Sequence, residues 1–223
     1  MFKSSRRPIV IPQSEHLKLA GALAFLWGNT QFEPPPLARL SVVAGIALHD
    51  RAYGYLDNIP IGEVDDERWL AVTRQGFFMP GADPIADLIT RHHLLRLVSG
   101  HDTPPHNALA QEMRLVIQQQ IEQNGLDGEL LIRIDRMTKL CDTVSFDFCC
   151  EEPAGGQVEV FTRYASEEAR VLRYQITGSE ITLDPWPLQV GQHAGYLVGY
   201  QLEGYPERLD GLVVPYEIRP VTT

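Results

Sequence analysis

The run Ser41-Val-Val-Ala-Gly-Ile-Ala-Leu-His49-Asp50 restricts this chain more than any other stretch. It reads as an apolar, small-residue helix that delivers an imidazole and a carboxylate to its own end. Counting back from His49 at helical spacing gives Ile46, Gly45, Val42 and Ala38, so the ring lies on the stripe that should face a core. An unpaired carboxylate carried to a buried place is costly, and a cation is the common remedy. A core histidine beside a helix-ending aspartate has the same pattern. The stretch alone leaves both readings open.

Other segments repeat the theme. A helix over residues 15–28, with Ser14 as its N-cap, carries His16 in the first turn of a stripe continued by Ala20, Leu23, Ala24 and Trp27. Pro34-Pro35-Pro36 ends it, and Pro36 suits the first turn of the helix that reaches His49. Residues 51–83 are punctuated by Gly and Pro and read as irregular, with one helical turn near Asp65–Thr73. A connection that long is often functional, for instance a lid, and its Tyr53, Tyr55 and Trp69 could stack a base or simply pack. Asp57 could support the His-Asp pair or serve as a turn residue.

A third helix follows Asp83-Pro84. There His92 points with Ile85, Leu88, Ile89 and Leu95, while His93 shares its face with Ala86, Thr90 and Arg96, so His92 is the inward candidate. Helix four covers 107–124 and helix five runs from Asp127-Gly128 to about Phe148, with Asp142 deep inside it. After Pro153 the pattern changes to short β-rich runs, read as an antiparallel meander of about five strands. The expected class is therefore α+β, with a helical domain over 1–152 and a small antiparallel β segment over 153–223 acting as a cover or homo-oligomerisation element.

Composition limits the partners. The net charge of −10 argues against nucleic acid or an anionic membrane as main partner, but leaves room for a small phosphorylated molecule in a local basic pocket. No stretch reads as a signal peptide or a membrane span, so a cytoplasmic location is expected. Cys141, Cys149 and Cys150 lack zinc-finger spacing and read as reduced, buried thiols.

His16, His49-Asp50, His92 and Asp142 thus fall on faces that should converge. Nitrogen and carboxylate donors together suit Zn, Mn, Fe, Co or Ni. The order His, His-Asp, late Asp on successive helices resembles the HD superfamily of metal-dependent phosphohydrolases over residues 13–150. More closely, Gln13-x-x-His16, Trp27-Gly28, Leu48-His49-Asp50, Leu88–His92, Cys141-Asp142-x-x-Ser145 and Asp184-Pro-Trp-Pro187 resemble a bacterial HD-like family of unknown function, nearly end to end.

The resemblance implies an HD-like five-helix bundle in which His16, His49, Asp50 and Asp142 hold one divalent ion, with His92 serving a second in two-metal relatives. It implies hydrolysis of a nucleotide or other small phosphorylated compound, with Asp50 orienting a water. The Gly-Lys turn of many active members is here Arg51-Ala52-Tyr53-Gly54, which makes Arg51 a substitute cation. Lys18, Arg91, Arg96 and Lys139 are further candidates to neutralise phosphate. Two alternatives stand beside the phosphohydrolase: a non-catalytic, metal-stabilised binding or regulatory module, and a di-iron oxygenase on an HD-like fold.

Overall fold

A computed structural model describes residues 1–208 and 210–221. Among these the chain is mixed α+β, with six α-helices and one curled seven-stranded sheet. No helix in it is long and apolar enough to cross a membrane.

Strands β1 (Phe2–Lys3) and β2 (Ile9–Ile11) precede α1 (Gln13–Leu26), which starts directly behind Pro12. Pro12 is the N-cap and Ser14 lies inside the helix, so the expected serine cap does not form. The helix α2 (Arg39–Ala47) stops two residues short of His49, and the His-Asp pair sits in a turn that leads into a 3-10 segment, Arg51–Leu56. The supposedly irregular stretch contains a full helix, α3 (Asp66–Phe78), capped by Asp65, whose carboxylate accepts the Arg68 amide at 2.8 Å. Then come α4 (Pro84–Val98), capped by Asp83, α5 (Pro104–Asn124) and α6 (Gly128–Cys150), capped by Asp127. Asp-Pro and Asp-Gly starts of this kind are readable because the carboxylate satisfies the first free amides.

Helices α1, α2, α4 and α6 pack on one another, with α5 on the outer side of α4. Glycines let them approach closely. A methyl on Gly21 would sit 2.8 Å from the Ala47 Cβ, and one on Gly45 would sit 2.7 Å from the Ile89 Cβ and 2.9 Å from the Ala86 carbonyl oxygen. The small-residue run 41–50 therefore brings α2 against two neighbours at once.

The C-terminal strands are β3 (Gly155–Phe161), β4 (Ala169–Thr177), β5 (Glu180–Asp184), β6 (His193–Gln201) and β7 (Leu212–Pro220). They do not form a simple meander. The sheet order is β1-β2-β6-β7-β5-β4-β3, and β5 pairs with β7 in parallel, Glu180 opposite Glu217. The connection after β5 runs past the end of α1, leaving a slot that β7 fills when the β6–β7 pair returns. Here two motif segments meet: the Gly28 amide donates to the Pro187 carbonyl at 3.0 Å, and Asn29 Nδ2 donates to the Trp186 carbonyl at 2.8 Å. Gly28 has φ +115°, which a side chain would resist. The N-terminal strands join the same sheet through Ile9 opposite Gln201, so the helical and β segments share backbone pairing.

Close packing at Gly45 gives a direct test. Gly45→Ala should destabilise the protein by about 1–3 kcal/mol, although alanine favours helix, because the methyl meets Ile89 and backbone. An unchanged urea midpoint would contradict the close approach of α2 and α4.

Candidate metal centre

Four side chains from three parts of the bundle converge: His16 on the first turn of α1, His49 and Asp50 after α2, and Asp142 in the middle of α6. The Nε2 atoms of His16 and His49 lie 2.9 Å apart. Asp142 Oδ1 is 3.5 Å from His16 Nε2 and 3.3 Å from His49 Nε2, and Asp50 Oδ2 is 3.6 and 3.7 Å from the same two atoms.

The tautomers follow from the other ring nitrogens. His49 Nδ1 lies 2.6 Å from the Ile46 carbonyl oxygen, which can only accept, so Nδ1 carries a hydrogen. His16 Nδ1 lies 2.9 Å from Ser145 Oγ, and that hydroxyl donates to the carbonyls of Cys141 at 2.8 Å and Asp142 at 3.0 Å. With its one proton on the helix, Ser145 accepts from His16. Both Nε2 lone pairs are therefore turned toward two carboxylate oxygens. Four acceptors face one another in a largely buried place, an arrangement that needs positive charge among them. Metal-bound imidazoles show the same Nδ1 anchoring. Around a tetrahedral ion with ligands about 2.1 Å away, neighbouring donors lie about 3.4 Å apart, close to the spacings found here.

In the protein alone a proton plays that part. Burial works against charge on His49, but the Asp50 and Asp142 carboxylates outweigh it and raise its pKa to about 9. Burial likewise opposes ionised Asp142, yet the hydrogen bond to His49 and the charge on that ring hold it at about 2. Against the same burial penalty, Asp50 is held well below the usual carboxylate range by His49, His16 and His93.

Around these four lies a supporting layer. Gln13 Nε2 donates to Asp50 Oδ2 at 2.6 Å, and the Gln13 amide is fixed by Asp57 Oδ1 at 2.9 Å. Asp57 thus supports the His-Asp pair through Gln13. The other Asp50 oxygen, Oδ1, is 2.9 Å from His93 Nε2. Arg96 donates to His93 Nδ1 at 2.7 Å, so His93 is neutral with its hydrogen on Nε2, aimed at Asp50. Burial, and then the charge of His49, lower the His93 pKa, in keeping with that assignment. Arg96 itself is held by Asp135 at 3.0 Å and comes within 3.8 Å of Asp142 Oδ2.

Two expected residues lie elsewhere. His92 is outside the cluster, and His93 occupies the inward position; the Nε2 of His92 is buried without a partner, beside Asp135. Helix α4 is buried around most of its circumference, from Leu88 and Ile89 to Thr90, Arg91 and Leu94, so an apolar stripe could not choose between adjacent histidines. The polar residues on the His93 face, Thr90 and Arg96, were the usable signal. Arg51 also turns away: its guanidinium donates to Asp87 Oδ1 at 2.7 Å and to the Met79 carbonyl at 2.7 Å. Gln13 and Ser145, one helical turn from His16 and Asp142 respectively, carry functional contacts that spacing to the ligand candidates could have suggested.

The cluster forms one end of a cavity of about 380 Å³ reached by Gln13, Asp50, His93 and Asp142. Its walls are apolar and aromatic, including Tyr53, Trp69, Leu97 and Phe146. Tyr55, by contrast, is exposed, and the three cysteines are free thiols that do not line this wall. Compared with known protein families, curated proteins and solved structures, the chain matches none.

The raised His49 sets a pH dependence. Its charged form is favoured in the folded state, so this contribution is complete below about pH 6.5, the ordinary histidine value, and disappears as pH rises through about 9. In excess chelator, stability should fall by on the order of a few kcal/mol between pH 6.5 and 9.5. His49→Gln should flatten that slope; equal slopes in denaturant titrations would refute the assignment.

Proposed function

We propose that the protein is a metal-dependent hydrolase of a small phosphorylated compound, built on an HD-like helical core. The observation that carries this reading is the convergence of two imidazole Nε2 atoms with two carboxylates, and both carboxylates line a cavity. The order of those residues along α1, the turn after α2, and α6 agrees with what the HD resemblance implies. His16, His49, Asp50 and Asp142 would hold one divalent ion of the Zn, Mn, Fe, Co or Ni group. Such an ion supplies an acidified water and polarises a phosphoryl oxygen.

The chain's own groups do the rest. Gln13 and His93 fix the two oxygens of Asp50, so its orientation is set before substrate arrives. Arg96 locks the His93 tautomer and brings positive charge toward Asp142, where charge on phosphoryl oxygens would need compensation. Hydrolysis joins the water oxygen to phosphorus, breaks the ester P–O bond and moves one water proton to the leaving oxygen. His93, with both ring nitrogens engaged by Arg96 and Asp50, holds the Asp50 carboxylate in place and does not carry that proton.

A second reading, a metal-stabilised binding module without turnover, is favoured by one observation. Arg51, the residue beside the pair, is bonded to Asp87 and Met79 and brings no charge to the cavity.

One experiment separates them. Protein purified without a histidine tag and reconstituted with Mn or Zn should show a raised Tm and should turn over at least one member of a phosphomonoester and phosphodiester panel. His49→Ala/Asp50→Ala should lose both effects. A raised Tm with no turnover anywhere in the panel selects the module; no metal uptake by elemental analysis removes both readings.

A further inference from the structure

The walls of the cavity say what the rest of the ligand must be. Among the described residues no lysine or arginine lines it. The cations available in the sequence are engaged elsewhere. Lys18 donates to the Tyr196 carbonyl at 2.9 Å, Arg51 is tied to Asp87, and Arg91 Nε donates to the Phe77 carbonyl at 3.0 Å. Arg96 reaches the cluster from behind His93. Beyond the His/Asp end, the one carboxylate on the wall is Asp66, which is 65% exposed in its side chain.

An aromatic run lines the way in. Tyr53 and Trp69 are nearly parallel, with centroids 6.3 Å apart and 15° between planes. Trp69 continues to His106 at 5.7 Å and 26°, and His106 to His101 at 4.5 Å and 16°. The Tyr53 hydroxyl is satisfied by Thr73 at 2.8 Å, which leaves its ring rather than its oxygen for the cavity. Leu97 and Phe146 complete an apolar surround.

We propose that the cavity takes a flat, apolar body carrying a single phosphoryl group, and excludes polyphosphates and sugar phosphates. A second anionic group would lie against apolar walls where the one cation, the Met1 ammonium, is already paired with Asp57 at 3.2 Å, and with Asp66 nearby. A hydroxyl-rich sugar would lose water without gaining partners. A two- or three-ring body instead gains apolar burial against Tyr53, Leu97 and Phe146 and is of a size with the cavity. The position of the phosphoryl end rests on the hydrolase reading; the chemistry of the body rests on the walls alone.

The test uses the metal-reconstituted full chain with three probes, 1-naphthyl phosphate, glycerol 3-phosphate and ATP, in both turnover and calorimetric binding assays. The expected result is at least a tenfold preference for 1-naphthyl phosphate, in kcat/KM where there is turnover and in Kd where there is none. Selective binding without turnover would overturn the hydrolase reading and leave this one standing. Equal or better use of ATP or glycerol 3-phosphate, or no binding of the naphthyl compound, would overturn it. Asp66→Lys gives a second reading at the cavity mouth: it should improve ATP affinity relative to 1-naphthyl phosphate by about tenfold, and no change in that ratio would count against the charge argument.

Discussion

Two imidazole lone pairs and two carboxylate oxygens that face each other inside a helical bundle repel unless positive charge lies among them. Much of the helical packing can be understood from that constraint. His16 is delivered by the first turn of α1, the His49-Asp50 pair by a turn after α2, and Asp142 by α6, elements far apart in sequence. They reach one another because Gly21 and Gly45 leave no side chain between α2 and its neighbours. The anchoring of each Nδ1, one on the Ile46 carbonyl and one on Ser145, removes the choice of tautomer in advance. Such preorganisation costs stability in the chain alone, and a bound cation would return it.

The sheet is not a bystander to this centre. Asp57 fixes the Gln13 amide, and Gln13 holds Asp50; on its other side Asp57 is bound by the Arg208 guanidinium and the Tyr205 hydroxyl. Tyr205 and Arg208 belong to the connection between β6 and β7, so a hydrogen-bonded path leads from that connection to a carboxylate of the cluster. The other face of the bundle is tied down where Phe148 of α6 packs edge-on against Tyr216 of β7. An element that looked in sequence like a separate cover therefore helps to orient a residue of the centre.

How much of this was readable follows from the range of each interaction. Asp83 and Asp127 mark their helices because a cap is a contact over two or three residues. His16 and Asp142 could be singled out as polar residues among apolar helical neighbours, and His49-Asp50 as the polar pair that ends an apolar run. Helix α3 was under-read because Gly76 and the Gly and Pro residues flanking the segment read as loop punctuation; Gly76 instead lets the helix close on Ala52, a tertiary contact. The parallel pairing of β5 with β7, and the union of β2 with β6, depend on partners distant in sequence. The choice of His93 over His92 depended on Arg96 and Asp50 closing on opposite sides of one ring.

Charge balance links the centre to its cavity. Two ionised aspartates and two neutral histidines total −2, so a divalent ion makes the set neutral. A bound phosphoryl group then adds negative charge that the set does not offset, and the nearest fixed positive charge is Arg96, 3.8 Å from Asp142 Oδ2. That charge is already shared with Asp135 at 3.0 Å, so it can compensate one phosphoryl group only in part. Along the walls the one other cation among the described residues is the Met1 ammonium, which is already paired with Asp57 at 3.2 Å. Under the proposed reading, a centre with so little positive charge in reserve would favour a ligand with one anionic end, and the apolar walls would favour one whose other end is apolar.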